Sequence, residues 1–136
     1  MVFFLMKILA LVTLLVLGWE VCWWGLGVKP LMPWRLKGFL QKSGAEFTLV
    51  DVRIPLEYRL FHIPGSKNKP SLLLHPELFK AQDLRMPLVI ICMTGHRSPV
   101  VAHRLKKQGF TEVYNLTFGM LGWLLSGGET VRGKKE

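Results

Sequence analysis

Apolar residues run almost without a break through the start of the chain: only Lys7 interrupts residues 2–19, and only Glu20 interrupts residues 8–28. About 20 helical residues cross a ~30 Å hydrocarbon layer, so the pattern predicts one membrane-spanning helix. Lys7 lies near its start, where a lysine can snorkel, and Glu20 sits beside Trp19, Trp23 and Trp24, whose rings favour the interface. Pro30 and Pro33 break this helix, after which the apolar spacing shortens. Residues 34–40 read as a short amphipathic helix with Trp34, Leu36, Phe39 and Leu40 as apolar contacts, closed by Ser43-Gly44. Residues 47–52 suit a buried strand, residues 55–60 a helix of about a turn and a half, residues 63–66 a turn, and residues 72–84 another helix. The continuously apolar run at 87–92 predicts a central strand covered on both faces. Ser98 then fits an N-cap, Pro99 the first helical position and Gly109 the C′ position of a following helix. A strand at 112–116 and a helix at 120–126 complete the alternation, which predicts an α/β fold with a doubly wound parallel sheet flanked by helices.

Charge divides the chain at the same place as hydropathy. Half of the 136 residues are hydrophobic, but residues 1–28 carry one Lys and one Glu, leaving 17 Lys and Arg against 8 Asp and Glu beyond them. The net +9 therefore belongs to the later part, which excludes a uniform soluble domain, a multi-span channel and a disordered basic tail. The expected division is an anchor over 1–28 and a domain over 29–136. A cleaved signal peptide fits less well: no A-x-A site is present, Gly25-Leu26-Gly27 follows three tryptophans, and Glu20-Val21 does not suit a lipoprotein Cys22. Lys29, Arg35, Lys37 and Lys42 follow the apolar run with no acid until Glu46, which predicts a cytoplasmic, reducing location for the domain and attraction to anionic lipid. No basic helix interleaved with aromatics supports nucleic-acid binding. Two cysteines seventy positions apart exclude a disulfide scaffold, and about 108 residues can bury a core without one.

The chemistry concentrates where the apolar strand ends, at Cys92. In open α/β sheets, ligands bind at the carboxyl ends of strands, where loops pass into helix N-termini. Backbone N–H groups from Met93 to Ser98 can curl around one point, and the following helix adds its positive end, so a negative sulfur is favoured there. The thiol is expected to ionise below the free value of ~8.5. Gly95 permits the backbone angles of such a curl, and Arg97 offers a planar cation to a bound anion.

The run CMTGHRS at 92–98 resembles the active-site loop of rhodanese domains, C-x-x-G-x-R followed by Ser or Ala. Leu49-Val50-Asp51-Val52-Arg53, Glu57-Tyr58, His62-Ile63-Pro64-Gly65-Ser66, Asn68 and Pro70 resemble the earlier signature of that family, and Gly109-Phe110, Val113, Leu116, Gly119, Trp123 and Gly127 its closing pattern. The resemblance covers roughly residues 30–132 in one order. It implies a rhodanese-like fold and a sulfurtransferase: Cys92 takes the outer sulfur of thiosulfate or a persulfide, holds it as Cys–S–SH and yields it to a thiol or cyanide, without metal or organic cofactor. By the same resemblance Arg97 is catalytic, while Met93, Thr94, Gly95, His96 and Ser98 form the substrate-binding loop.

Related phosphatases and arsenate reductases place five residues between Cys and Arg, whereas Met93 to His96 are four, which favours sulfur. Three positions depart from the family pattern: Met93 where thiosulfate-using members often carry a basic residue, Phe61 before the H-I-P-G turn, and Phe118 at the first of two usual glycines. Asp51, Arg53 and Glu57 are expected to form an ion-pair network supporting the strand end, His62 to fix its turn, His96 to line the loop, and Cys22 to pack among apolar neighbours. The expected partners are a small-molecule or protein sulfur donor, a thiol acceptor, and membrane lipid through residues 1–28. A non-catalytic, membrane-tethered sulfur-carrier or docking module is the alternative.

Overall fold

The computed structural model describes residues 1–42, 46–81 and 83–133; the expected helix closure at Ser43-Gly44 lies outside them. Helix α1 (Val2–Gly25) has no buried residue, is long and apolar enough to cross a membrane, and by length and composition also meets the description of a signal sequence. The remaining elements are β1 (Lys29–Leu31), α2 (Pro33–Gln41), β2 (Thr48–Asp51), α3 (Pro55–Leu60), β3 (Lys67–Asn68), β4 (Leu88–Ile91), α4 (Ser98–Lys107), β5 (Val113–Leu116) and α5 (Gly119–Leu125). The five strands form one parallel sheet in the order β1-β5-β4-β2-β3.

Strand side chains alternate between faces, and β4 shows what that does for the site. Leu88, Ile90 and Cys92 join the core layer that holds Val101, Ala102 and Leu105 of α4. Val89 and Ile91 join the opposite layer with Leu36 of α2 and Met120 and Trp123 of α5. The cysteine thus continues the α4 face of the central strand and is fully buried at its carboxyl end. Connections leaving β2 and β4 run toward opposite ends of the strand order, so the ends of these neighbouring strands form the crevice where such sheets bind ligands.

Several expectations are corrected. Residues 72–84 are not a helix: two 3₁₀ turns, Pro70–Leu73 and Pro76–Leu78, are followed by irregular chain. Pro76 removes an amide and steers His75 (φ −125°, ψ 66°) out of the helical region. Pro30 does not merely interrupt a helix but lies within β1, an edge strand, where its missing N–H is tolerated. In α2, Leu36 is buried and Phe39 stacks on Phe47 at 5.4 Å, but Trp34 and Leu40 are exposed.

Candidate active site

The loop after β4 closes on its own sulfur. Gly95 N–H donates to Cys92 Sγ at 3.0 Å, and Ser98 Oγ lies 3.2 Å from the same sulfur. Of the amides from Met93 to Ser98, that of Gly95 is the one within hydrogen-bond reach of Sγ. Gly95 has φ +83°, and a Cβ there would meet the Phe118 amide nitrogen at 2.9 Å, so both the turn and the packing demand glycine. Helix α4 begins one residue earlier than expected, with Arg97 as the N-cap and Ser98 inside the first turn. Ser98 makes no capping bond; its hydroxyl sits between Cys92 Sγ and Asn115 Oδ1, the latter at 2.6 Å.

That hydroxyl has one proton and two lone pairs. Pointed at Asn115 Oδ1, it leaves Ser98 oxygen free to accept from a Cys92 S–H. Pointed at the sulfur, it donates there and gives up its bond to Asn115 Oδ1. Asn115 is buried in β5 and was not singled out by the sequence. The available signal was an amide side chain inside an otherwise strand-like run, since a buried amide requires a partner.

The floor of the loop is backbone. Met120 N–H donates to Cys92 O at 2.9 Å and Leu121 N–H to Met93 O at 3.0 Å, tying the start of α5 to the cysteine loop. Gly119 lies so close that a Cβ would come within 2.4 Å of Cys92 O. Phe118 takes φ +60°, the left-handed conformation that glycine would take in its place, so this departure from the family pattern leaves the turn formed at a cost in local strain. Phe61 needs no such adjustment: its φ is −168°, its carbonyl accepts from Arg53 Nη2 at 2.7 Å, and its ring lies 5.0 Å from the Arg53 guanidinium carbon.

The expected network of Asp51, Arg53 and Glu57 separates into two units. Asp51 and Arg53 are fully buried and paired through Nε and Nη2, and Asp51 also accepts from the Arg53 amide. Asn68 fastens this strand end by donating to the Asp51 and Arg53 carbonyls. Glu57 instead accepts from the Ile54 amide at the start of α3 and faces Arg97 Nη2 at 3.4 Å. Arg97 therefore stands at the loop rim, half-exposed, with Glu57 as its partner. His62 Nδ1 lies 2.8 Å from Tyr58 O, and the two rings stack at 3.8 Å, which holds the turn before β3. Burial pushes the Tyr58 phenol pKa up, and its hydroxyl donates to Ser66 O.

Thr94 and His96 are exposed on the outer lip, with His96 Nδ1 3.0 Å from Thr94 Oγ1. Both line a hollow of about 510 Å³ whose other walls include Trp34, Phe118, Leu121 and Leu125. The His96 ring also lies 5.7 Å from Trp19 of α1. Cys22 is exposed on α1. Among the described residues no cluster of His, Cys, Asp and Glu has metal-binding geometry.

Comparison with known proteins converges on one family. The profile of the rhodanese-like domain matches residues 35–126. The thiosulfate sulfurtransferase GlpE of Ectopseudomonas mendocina is 38% identical over 98 residues, covering 71% of this chain and 87% of that protein. Among solved structures, a rhodanese-like domain protein from Staphylococcus aureus superposes with a TM-score of 0.67 at 28% identity, covering 79% of this chain and 100% of its own. A thiosulfate sulfurtransferase from Pseudomonas aeruginosa gives 0.67 at 26% identity, over 81% of this chain and 21% of that longer one.

Proposed function

The chain belongs to the rhodanese-like domain family and is a rhodanese-type sulfurtransferase, and from that premise we propose that it carries sulfane sulfur as a persulfide on Cys92, in a domain spanning residues 29–136 held at the cytoplasmic face of a membrane by residues 1–28. The single observation that carries this reading is the convergence of Gly95 N–H and Ser98 Oγ on one buried sulfur at the end of the central strand.

In the first half-reaction the Cys92 thiolate attacks the outer sulfur of the donor. A Cys92 Sγ–S bond forms and the donor's bond to that sulfur breaks, S–S in thiosulfate or a persulfide and C–S in 3-mercaptopyruvate. Its electron pair leaves with sulfite, a thiolate or pyruvate enolate respectively, the enolate then taking a proton to give pyruvate. In the second, a thiolate or cyanide attacks the terminal sulfur and the Sγ–S pair returns to Cys92. Sulfur bears negative charge at both ends of the cycle, and the donors fixed by Gly95 and Ser98 are placed where it accumulates. Arg97 supplies the cation at the rim for an anionic donor, exchanging its contact with Glu57 for the donor's charge. Met93 brings no second cation, which favours donors of lower charge than thiosulfate, such as a persulfide.

The reading is tested by mass spectrometry after incubation with thiosulfate, 3-mercaptopyruvate or glutathione persulfide. The expected result is a gain of ~32 Da on Cys92, released by cyanide and absent in Cys92→Ala. No gain with any donor overturns it in favour of a docking module. A reporter fused after residue 136 and active only in the cytoplasm tests the orientation.

A further inference from the structure

The end of α1 lies along α4 in a definite direction. Trp19 meets His96 before the start of α4, the Trp23 ring lies 6.0 Å from His103 in its middle, and Gly27 packs against Lys106 near its end. His103 Nδ1 also lies 3.3 Å from Leu26 O. Moving back along α1 from residue 27 toward the apolar run therefore means moving along α4 toward its N-terminus and the Cys92 loop. Trp19 precedes the end of α1 by six residues, about 9 Å of helix rise, so His96 touches the spanning segment at the level where its tryptophans favour the interface.

The edge of the domain turned this way carries a cluster of exposed apolar side chains. Around the hollow that Thr94 and His96 share, Leu125 is 88% exposed and Trp34 59%, with Phe118 and Leu121 exposed beside them. Contiguous exposed apolar patches of this kind mark contact surfaces. Arg35, next to Trp34, is exposed on the same short helix, and Lys37 is close by, supplying cations suited to anionic headgroups.

We propose that this apolar lip is seated in the headgroup and acyl boundary of the membrane that holds α1, so that the mouth of the Cys92 loop opens at the lipid surface rather than toward bulk solvent. The proposal rests on the reading of α1 as a membrane anchor. Aromatic and leucine side chains bury in this boundary while neighbouring cations stay in the headgroup layer. Sulfur donors or acceptors then reach Cys92 along the bilayer surface.

The test uses the full chain in vesicles of phosphatidylcholine and phosphatidylglycerol, with photoreactive benzoylphenylalanine placed singly at Leu125, Leu121, Leu14 or Leu84. Leu14 lies within α1, and Leu84 precedes β4 at the opposite end of the sheet. The expected result is lipid adducts at Leu125, Leu121 and Leu14, at least ten-fold above Leu84. Adducts at Leu14 with Leu125 and Leu121 no higher than Leu84 overturn the proposal while leaving the anchor intact. Loss of the Leu14 adduct overturns the anchor reading and the proposal together. Cross-links between two copies at Leu125 in place of lipid adducts also overturn it.

Discussion

The neighbouring strands β2 and β4 both end in polar chemistry, and they treat it in opposite ways. At the end of β2, Asp51 and Arg53 are sealed from solvent, bound through two guanidinium nitrogens, and fastened by Phe61 O and Asn68. At the end of β4, Cys92 is equally buried, yet its sulfur is met by one amide and one shared hydroxyl, and the residues around it open onto an exposed lip. Arg53 Nε and Nη2 are bonded while the buried Nη1 has no partner, and removing one member of such a buried pair strands the other's charge. A sulfur met by one amide and one hydroxyl that is shared with Asn115 keeps room to change its bonding. The difference teaches that the charged pair at the end of β2 is built into the fold, while the sulfur at the end of β4 is left with few fixed partners.

Arg53→Met breaks the committed side of this comparison. It leaves the Asp51 carboxylate buried without its cation, and we expect a loss of about 3–5 kcal/mol in stability, read from denaturant unfolding. Stability within 1 kcal/mol of the parent would show that the pair is not what holds β2.

Gly119→Ala strikes the open side through the floor of the loop. The new Cβ would sit 2.4 Å from Cys92 O in a residue held at φ +55°, costing about 2 kcal/mol. Displacement of the cysteine should slow sulfur transfer by ~10–100-fold. Unchanged kinetics would mean that the α5 turn does not set the position of Cys92.

Ser98→Ala sharpens the open side. Removing the shared hydroxyl should slow transfer about 10-fold while costing about 1 kcal/mol for the partner lost by Asn115, so kinetics should move more than melting. The reverse ranking would make Ser98 a packing residue.

The smallest effect lies far from the crevice, where Lys29 Nζ meets Glu112 at 2.8 Å and ties β1 to the start of β5. The Lys29 hydrogen bond holds the Glu112 carboxyl below its ordinary 4.5 and the same bond raises Lys29 above 10.5. A depressed carboxyl pKa stabilises the fold above its ordinary value and loses that contribution as pH falls through the folded-state value. Lys29→Ala should therefore cost less than ~1 kcal/mol at pH 7, because the pair is partly exposed, and its difference from the parent should vanish on acidification below the carboxylate range. Thermal melts at pH 7 and pH 3 check this.

Local pattern was enough for much of this architecture. The run at 87–92 showed its strand because burial on both faces leaves no polar position, and Cys92 was marked by ending it. The helix over Pro55–Leu60 was framed by its proline and by the acid at Glu57. Features decided by distant partners were not legible. Strands β1 and β3 have three and two residues, too few for a period, and exist because β5 and β2 offer them hydrogen bonds. Asn115 gains its role from Ser98, seventeen positions away, and Glu57 turns to Arg97 forty positions away. The apolar spacing at 72–84 resembles that of a helix, but Pro76 within it has no amide to donate and turns the chain at His75.

The margins of the sheet carry a consequence for crowding. Parallel strands at a sheet's rim invite another polypeptide to extend the ladder. Here one rim is a two-residue strand and the other a three-residue strand whose central residue, Pro30, has no amide proton to give. Copies gathered at high density can therefore lie side by side without knitting into fibrils.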